Sequence, residues 1–184
     1  MSSLPARATN PRQQVTLNRL LDAALAELDE SGPDGLTIRQ VAHRAGVSSA
    51  TAYNHLASKP HLYALLYLRH LREHRKDRYR ARTALTRVQE LIREQAAHLA
   101  ETPSLAAAAT MALLSTDPDV EPVRAKVGLE MVEGFRAALG DADDDTVRDA
   151  LIFAQSGAML QAGMGFMTYD EMGERLARVA EVVM

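Results

Sequence analysis

Apolar residues recur at spacings of three and four along nearly the whole chain, and no stretch sustains strict polar/apolar alternation, so the pattern predicts helices and no sheet. Leu17, Leu20, Leu21, Ala24, Leu25 and Leu28 form one stripe, with Asn10 as a candidate cap and Pro11 at the first helical position. This first helix is predicted from about residue 11 to 30, with SGPDG as its stop. A short second helix begins at Thr37, where TIRQ reads as a capping box with Gln40 as reciprocal partner, and Ile38, Val41, Ala42 and Ala45 form its buried face. Gly46 interrupts, a third short helix starts at Ser48 or Ser49, and Ser58 caps a fourth, predicted over 59–80.

Further helices are predicted over 83–100, 103–114, 118–139, 144–162 and 169–183. Thr102 and Asp117 each precede a proline, GDADDD places acid before a helix start, and TYDE is a second capping box. The fold class is therefore all-α with about nine helices. A three-helix unit at residues 11–58 contains a helix-turn-helix, the fourth helix connects, and residues 83–184 form an antiparallel helical domain.

The apolar share of 47% suffices for a buried core in a chain of 184 residues. The absence of cysteine excludes disulfides, thiolate catalysis and Cys-ligated metal. The N-terminal MSSLPARATNPRQQ has no apolar run of signal-peptide type, and LYALLYL is too short to span a bilayer; the expectation is a cytoplasmic protein. The net charge of −3 hides an asymmetry. Residues 1–82 carry thirteen Lys or Arg against seven Asp or Glu, residues 83–184 eight against seventeen, and five of six histidines lie in the first part. A basic module facing a polyanion, followed by an acidic module that does not, is the simplest reading.

The stretch TIRQVAHRAGVSSATAYNHL carries the functional signal. A capped helix, a glycine turn and a second helix with small polar outer residues suit a major groove about 12 Å wide. Ser48, Ser49, Ala50, Thr51 and Asn54 are the candidate groove residues, since hydroxyls meet bases or phosphates, Asn pairs with adenine, and methyls touch thymine. Thr37, Tyr53, His55 and Lys59 are candidate phosphate contacts, with Arg7 and Arg12 adding charge from the N-terminal arm. For Tyr53 a core position, and for Asn54 and His55 a plain surface position, stand as alternatives.

Residues 13–66, centred on LTIRQVAHRAGVSSATAYNHLASKPHLYALL, resemble the DNA-binding domain of TetR-type (TetR/AcrR-like) transcriptional regulators. Ala52 stands where that family commonly has leucine, and Leu56 where it has phenylalanine. The resemblance implies a homodimer, usually a repressor, that binds a palindromic double-stranded DNA operator and is released by a small molecule held in the C-terminal half. A different class stays open: an architectural or protein-interaction module that binds DNA but has no small-molecule pocket.

In the acidic half, Met111, Met131, Phe135, Phe153 and Gln155 are the candidate ligand-binding residues, on the reasoning that thioethers and aromatics adapt to a mainly apolar guest. Ala154, Ala158 and Ala162 offer a small-residue face, and Met172, Leu176, Val179 and Val183 a seam at heptad-like spacing; together they are the candidate dimer interface. His70 and His74 are i,i+4 neighbours, but the surrounding Arg69, Arg72, Arg75 and Lys76 oppose a cation, so no metal is expected. No cofactor is expected, and no catalytic motif places a nucleophile or paired carboxylates, which argues against an enzyme.

Overall fold

The computed structural model describes residues 11–76 and 79–184. The candidate cap Asn10 and the arm residue Arg7 lie outside these. Among the described residues the chain is helical without strands, and it divides at Lys59/Pro60 into two compact units.

The first unit holds α1 (Pro11–Gly35), α2 (Ile38–Arg44) and α3 (Ser49–His55). Within α1 the helical conformation breaks at Gly32 (φ 68°), inside the SGPDG stop. Leu20, Ala24 and Leu28 of α1 are buried, as are Val41 and Ala42 of α2 and Ala52 of α3. Thr37 caps α2 by accepting from Gln40 N at 3.2 Å. The expected reciprocal contact differs: the Thr37 hydroxyl donates to Gln40 Oε1 at 2.5 Å, so the two side chains satisfy each other. Gly46 takes φ +65°, which an L side chain rarely adopts, and this left-handed residue turns the chain from α2 to α3.

The second unit comprises α4 (Lys59–Glu73, from Pro60 on), α5 (Ala84–Glu101), α6 (Pro103–Leu114), α7 (Glu121–Leu139), a 3₁₀ turn at Gly140–Ala142, α8 (Asp145–Gly163) and α9 (Tyr169–Val183). Two boundaries differ from the sequence reading. α4 stops at Glu73 rather than near residue 80: Arg75 N donates back to the Arg72 carbonyl at 3.4 Å, a tighter turn that closes the helix. Arg72 and Arg75 both bond Glu130 of α7, and Lys76 bonds Glu90 and Glu94 of α5. α7 begins at Glu121 rather than Pro118, since Asp117 Oδ1 accepts from Asp119 N and its carbonyl from Val120 N, forming a turn.

The core of this unit joins Val88, Leu91 and Ile92 of α5 to Phe135, Ala138 and Leu139 of α7, Leu151 of α8, and Leu176, Ala177 and Ala180 of α9. Arg87 of α5 donates to the carbonyls of Ala138 and Leu139 at 2.7 and 3.0 Å, satisfying the end of α7. The Thr168–Glu171 capping box starts α9. α5 and α9 approach so closely that a Cβ at Gly173 would lie 2.6 Å from Ala96 Cβ. Among the described residues no helix is long and apolar enough to cross a membrane.

Candidate nucleic-acid interface and effector cleft

The helix-turn-helix is held by polar contacts behind its outer face. Arg44 at the end of α2 donates through Nε to Glu27 at 2.6 Å and through Nη2 to Glu30 at 2.5 Å, tying α2 to α1 and raising the Arg44 pKa above its ordinary value. Arg19 of α1 donates to the Ala45 carbonyl at 2.6 Å, beside the Gly46 turn. Ser48 caps α3 by accepting from Thr51 N at 3.1 Å, and the Ser48 and Thr51 hydroxyls lie 2.9 Å apart. These two groove candidates therefore serve the start of the helix first.

Ala52 turns fully inward, which leaves Ser49, Ala50, Tyr53 and Asn54 exposed at helical spacing on the opposite side of α3. Tyr53 is 49% exposed, so the core alternative for this tyrosine does not hold. Thr51, His55 and Lys59 are half-buried, and Thr37 is exposed. Lys59 Nζ donates to the Asp34 carbonyl at 3.1 Å, which positions the side chain. Arg39, which the sequence reading passed over, stands exposed on α2.

The charge asymmetry has a structural origin different from the one expected. Arg72, Arg75 and Lys76 belong to the excess counted before residue 83, yet their partners are the acidic residues Glu130, Glu90 and Glu94 of the second unit. Much of that excess is neutralised inside one unit and does not mark a polyanion surface.

The second unit contains two neighbouring clefts. The larger, about 350 Å³, is lined by Tyr67 of α4, Leu113 and Leu114 of α6, Met131 of α7, and Met159 and Leu160 of α8, among others. Its size is that of a small-molecule site, and its lining is overwhelmingly apolar. The smaller, about 20 Å³, is lined by Tyr67, His70, His74, Gln95, His98 and Gln155, together with Leu71 and Leu99. Tyr67 borders both, and its hydroxyl donates to Met159 Sδ at 3.4 Å. Three imidazoles crowd the small cleft, with ring centroids 4.4 Å apart for His70 and His74 and 3.8 Å for His74 and His98. Burial pushes the His70 pKa down to about 4, with His74 and His98 adding in the same direction. Among the described residues no group of histidines and carboxylates is arranged to hold a metal ion.

Of the candidate ligand residues, Met131 lines the larger cleft and Gln155 the smaller. The structure does not bring the other three to them. Phe135 is packed in the core of the unit, Met111 is largely exposed on α6, and Phe153 is 71% exposed on α8. Tyr67 and His98 were missed because they come from separate helices, which the spacing along one helix cannot join.

The expected dimer seam also divides. Met172 and Leu176 are buried within their own subunit, Leu176 at 3% exposure, because this edge of α9 faces α5. Ala162 is buried, Ala154, Ala158 and Val183 are half-buried, and Val179 is exposed. Phe153, Val179 and Val182 are apolar side chains of α8 and α9 left open to solvent, and an open groove of about 390 Å³ runs between the two helices past Gly157 and Ala158.

Comparison with known proteins places these features in context. The family model of bacterial regulatory proteins of the tetR family matches residues 20–66. An uncharacterised HTH-type transcriptional regulator of Mycobacterium tuberculosis is 38% identical over 189 aligned positions, covering 97% of this chain and 85% of the relative. Among solved structures, a TetR transcriptional regulator from Rhodococcus sp. RHA1 superposes with a TM-score of 0.81 at 19% identity, covering 93% of this chain and 96% of the other. FadR of Bacillus subtilis in complex with stearoyl-CoA superposes at 0.65 with 14% identity, covering 91% and 98%.

Proposed function

Because the chain belongs to the TetR family of DNA-binding bacterial regulators, we propose that it is a homodimeric repressor of a palindromic operator, released by a small, mainly apolar effector. The observation that carries this reading is the pairing, in one chain, of a solvent-facing α3 surface with an apolar cleft of about 350 Å³ in the other unit. Residues 11–58 form the DNA-binding domain and 83–184 the sensor, with α4 joining them. Ser49, Ala50, Thr51 and Asn54 enter the major groove; Thr37, Tyr53, His55, Lys59 and the exposed Arg39 hold phosphates.

Dimerisation uses the outer faces of α8 and α9. Phe153, Val179 and Val182 supply apolar area, and Ala154, Gly157 and Ala158 permit close helix approach. A two-fold axis through this surface matches a palindromic site, and the separation of the two reading helices becomes the quantity an effector alters. FadR, a fold neighbour, is complexed with a long-chain acyl-CoA, which supports an apolar guest in this architecture.

The test is to select an operator from random duplexes with the full-length protein, then screen apolar compounds for release. A selected palindrome and a compound that releases it fit the reading. A compound that fills the cleft yet binds free protein and operator complex equally would remove its inducer role, since coupling between the two sites is reciprocal.

A further inference from the structure

Gln155 is 4% exposed, and its Oε1 has no hydrogen-bond partner although its Nε2 donates to Gln95 Oε1 at 2.8 Å. A buried acceptor left in this state is costly, so the small cleft it lines is suited to a donor. That space, about 20 Å³, admits one small polar group. Gln155 and Met159 are one turn apart on α8, and Met159 accepts from Tyr67, which borders both clefts. Tyr67 lines both clefts, so a guest that spans them must displace its contact with Met159.

The charge of the donor follows from the linings. Neither cleft is lined by an Asp or Glu that would neutralise an ammonium group, and neither by a Lys or Arg that would neutralise a carboxylate. The polar end instead holds His70, His74 and His98, and His74 Nδ1 already lies 2.8 Å from the His70 carbonyl. His70, whose pKa burial pushes down, presents as a neutral imidazole one donor and one acceptor nitrogen, which complements a group that both gives and receives a hydrogen bond.

We propose that the effector carries one uncharged hydroxyl group, which donates to Gln155 Oε1 beside the histidine cluster while its apolar body fills the larger cleft. The proposal rests on the effector reading above and narrows it to a neutral alcohol. It separates this cleft from one built for an organic cation or for a free acid.

The test titrates the full-length protein calorimetrically with four probes sharing one chain: 1-decanol, its methyl ether, decanoate and decylammonium. Decanol is expected to bind about tenfold more tightly than the ether, the equivalent of one hydrogen bond, and more tightly than either ion. In Gln155→Leu the alcohol-to-ether ratio is expected to fall to about one, with helical content and melting temperature reporting whether the fold is kept. Equal affinities for alcohol and ether in the unaltered protein would mean that water alone satisfies Oε1, and would overturn the proposal. Preference for an ion, or a ratio that survives Gln155→Leu, would also overturn it. If none of the four binds, the effector reading of the larger cleft fails and the proposal with it; binding without discrimination overturns the hydroxyl assignment alone.

Discussion

Arg44 reaches from the end of α2 to Glu27, a carboxylate of α1 that is almost fully buried, and closes the bond at 2.6 Å. The same guanidinium holds Glu30, so one side chain fixes the angle between the scaffold helix and the helix-turn-helix. Arg44→Ala is expected to lower the thermal midpoint of the first unit by stranding the Glu27 carboxylate. Arg44→Lys should be intermediate, because an ammonium lacks the planar fork that meets two carboxylates. Melting curves followed by circular dichroism check this, and an alanine variant as stable as the parent would show the bond to be dispensable.

At the DNA surface, cation and hydroxyl contacts have different signatures. Lys59→Ala is expected to weaken binding to all duplexes and to flatten the salt dependence by roughly one per subunit. Tyr53→Phe removes an uncharged hydroxyl from a side chain exposed on α3, so affinity should fall with the salt slope unchanged. Asn54→Ala should change the preference among operator sequences. Binding titrations across a salt series separate the three, and a uniform loss for Asn54→Ala would return it to the solvated surface.

For the dimer, the two edges of α9 give opposite outcomes. Leu176→Glu places a carboxylate in the subunit core and is expected to destabilise folding by several kcal/mol. Phe153→Asp with Val179→Asp changes only exposed positions, so the product should be a folded monomer with reduced operator affinity. Sedimentation and helical content distinguish these results; a double variant that remains dimeric moves the interface off α8 and α9.

The contrast within α9 shows how far the sequence could be read. Apolar spacing grouped Met172 and Leu176 with Val179 and Val183 as one dimer seam, but periodicity gives an apolar face and not the partner that buries it, and for Met172 and Leu176 the partner is α5 of the same subunit. Phe135 is the same case, an apolar residue whose surroundings turned out to be core. Local chemistry was more legible: the Thr168–Glu171 box and the Thr37 and Ser48 caps depend on neighbours within a few residues. The end of α4 was illegible because RHLREHRKDRYRAR contains no Gly or Pro stop, and the partners of Arg75 and Lys76 are distant acids. The exposed side of α3 was legible because Ala52 alone identifies the inner face.

Burial of His70 makes stability depend on pH. His70 titrates near 4 in the folded protein against 6.5 when unperturbed, so the unfolded chain takes up the proton first. Its stabilising contribution is complete above about pH 6.5, declines as pH falls through that value, and is lost by about pH 4. Burial lowers the His61 pKa in the same direction. His70→Gln should therefore reduce, without abolishing, the fall in melting temperature between pH 7 and pH 4. A profile identical to the parent's would exclude His70 as the proton acceptor.

The near-contact of Gly173 with Ala96 bears on where the sensor can yield. With only the Ala96 methyl between the two backbones, α5 and α9 have no cushion of rotamers to slide upon, and steric interlock makes the pair a keel. Strain from a guest wedged among α4, α6, α7 and α8 would then be taken up by those looser planks and not by the keel.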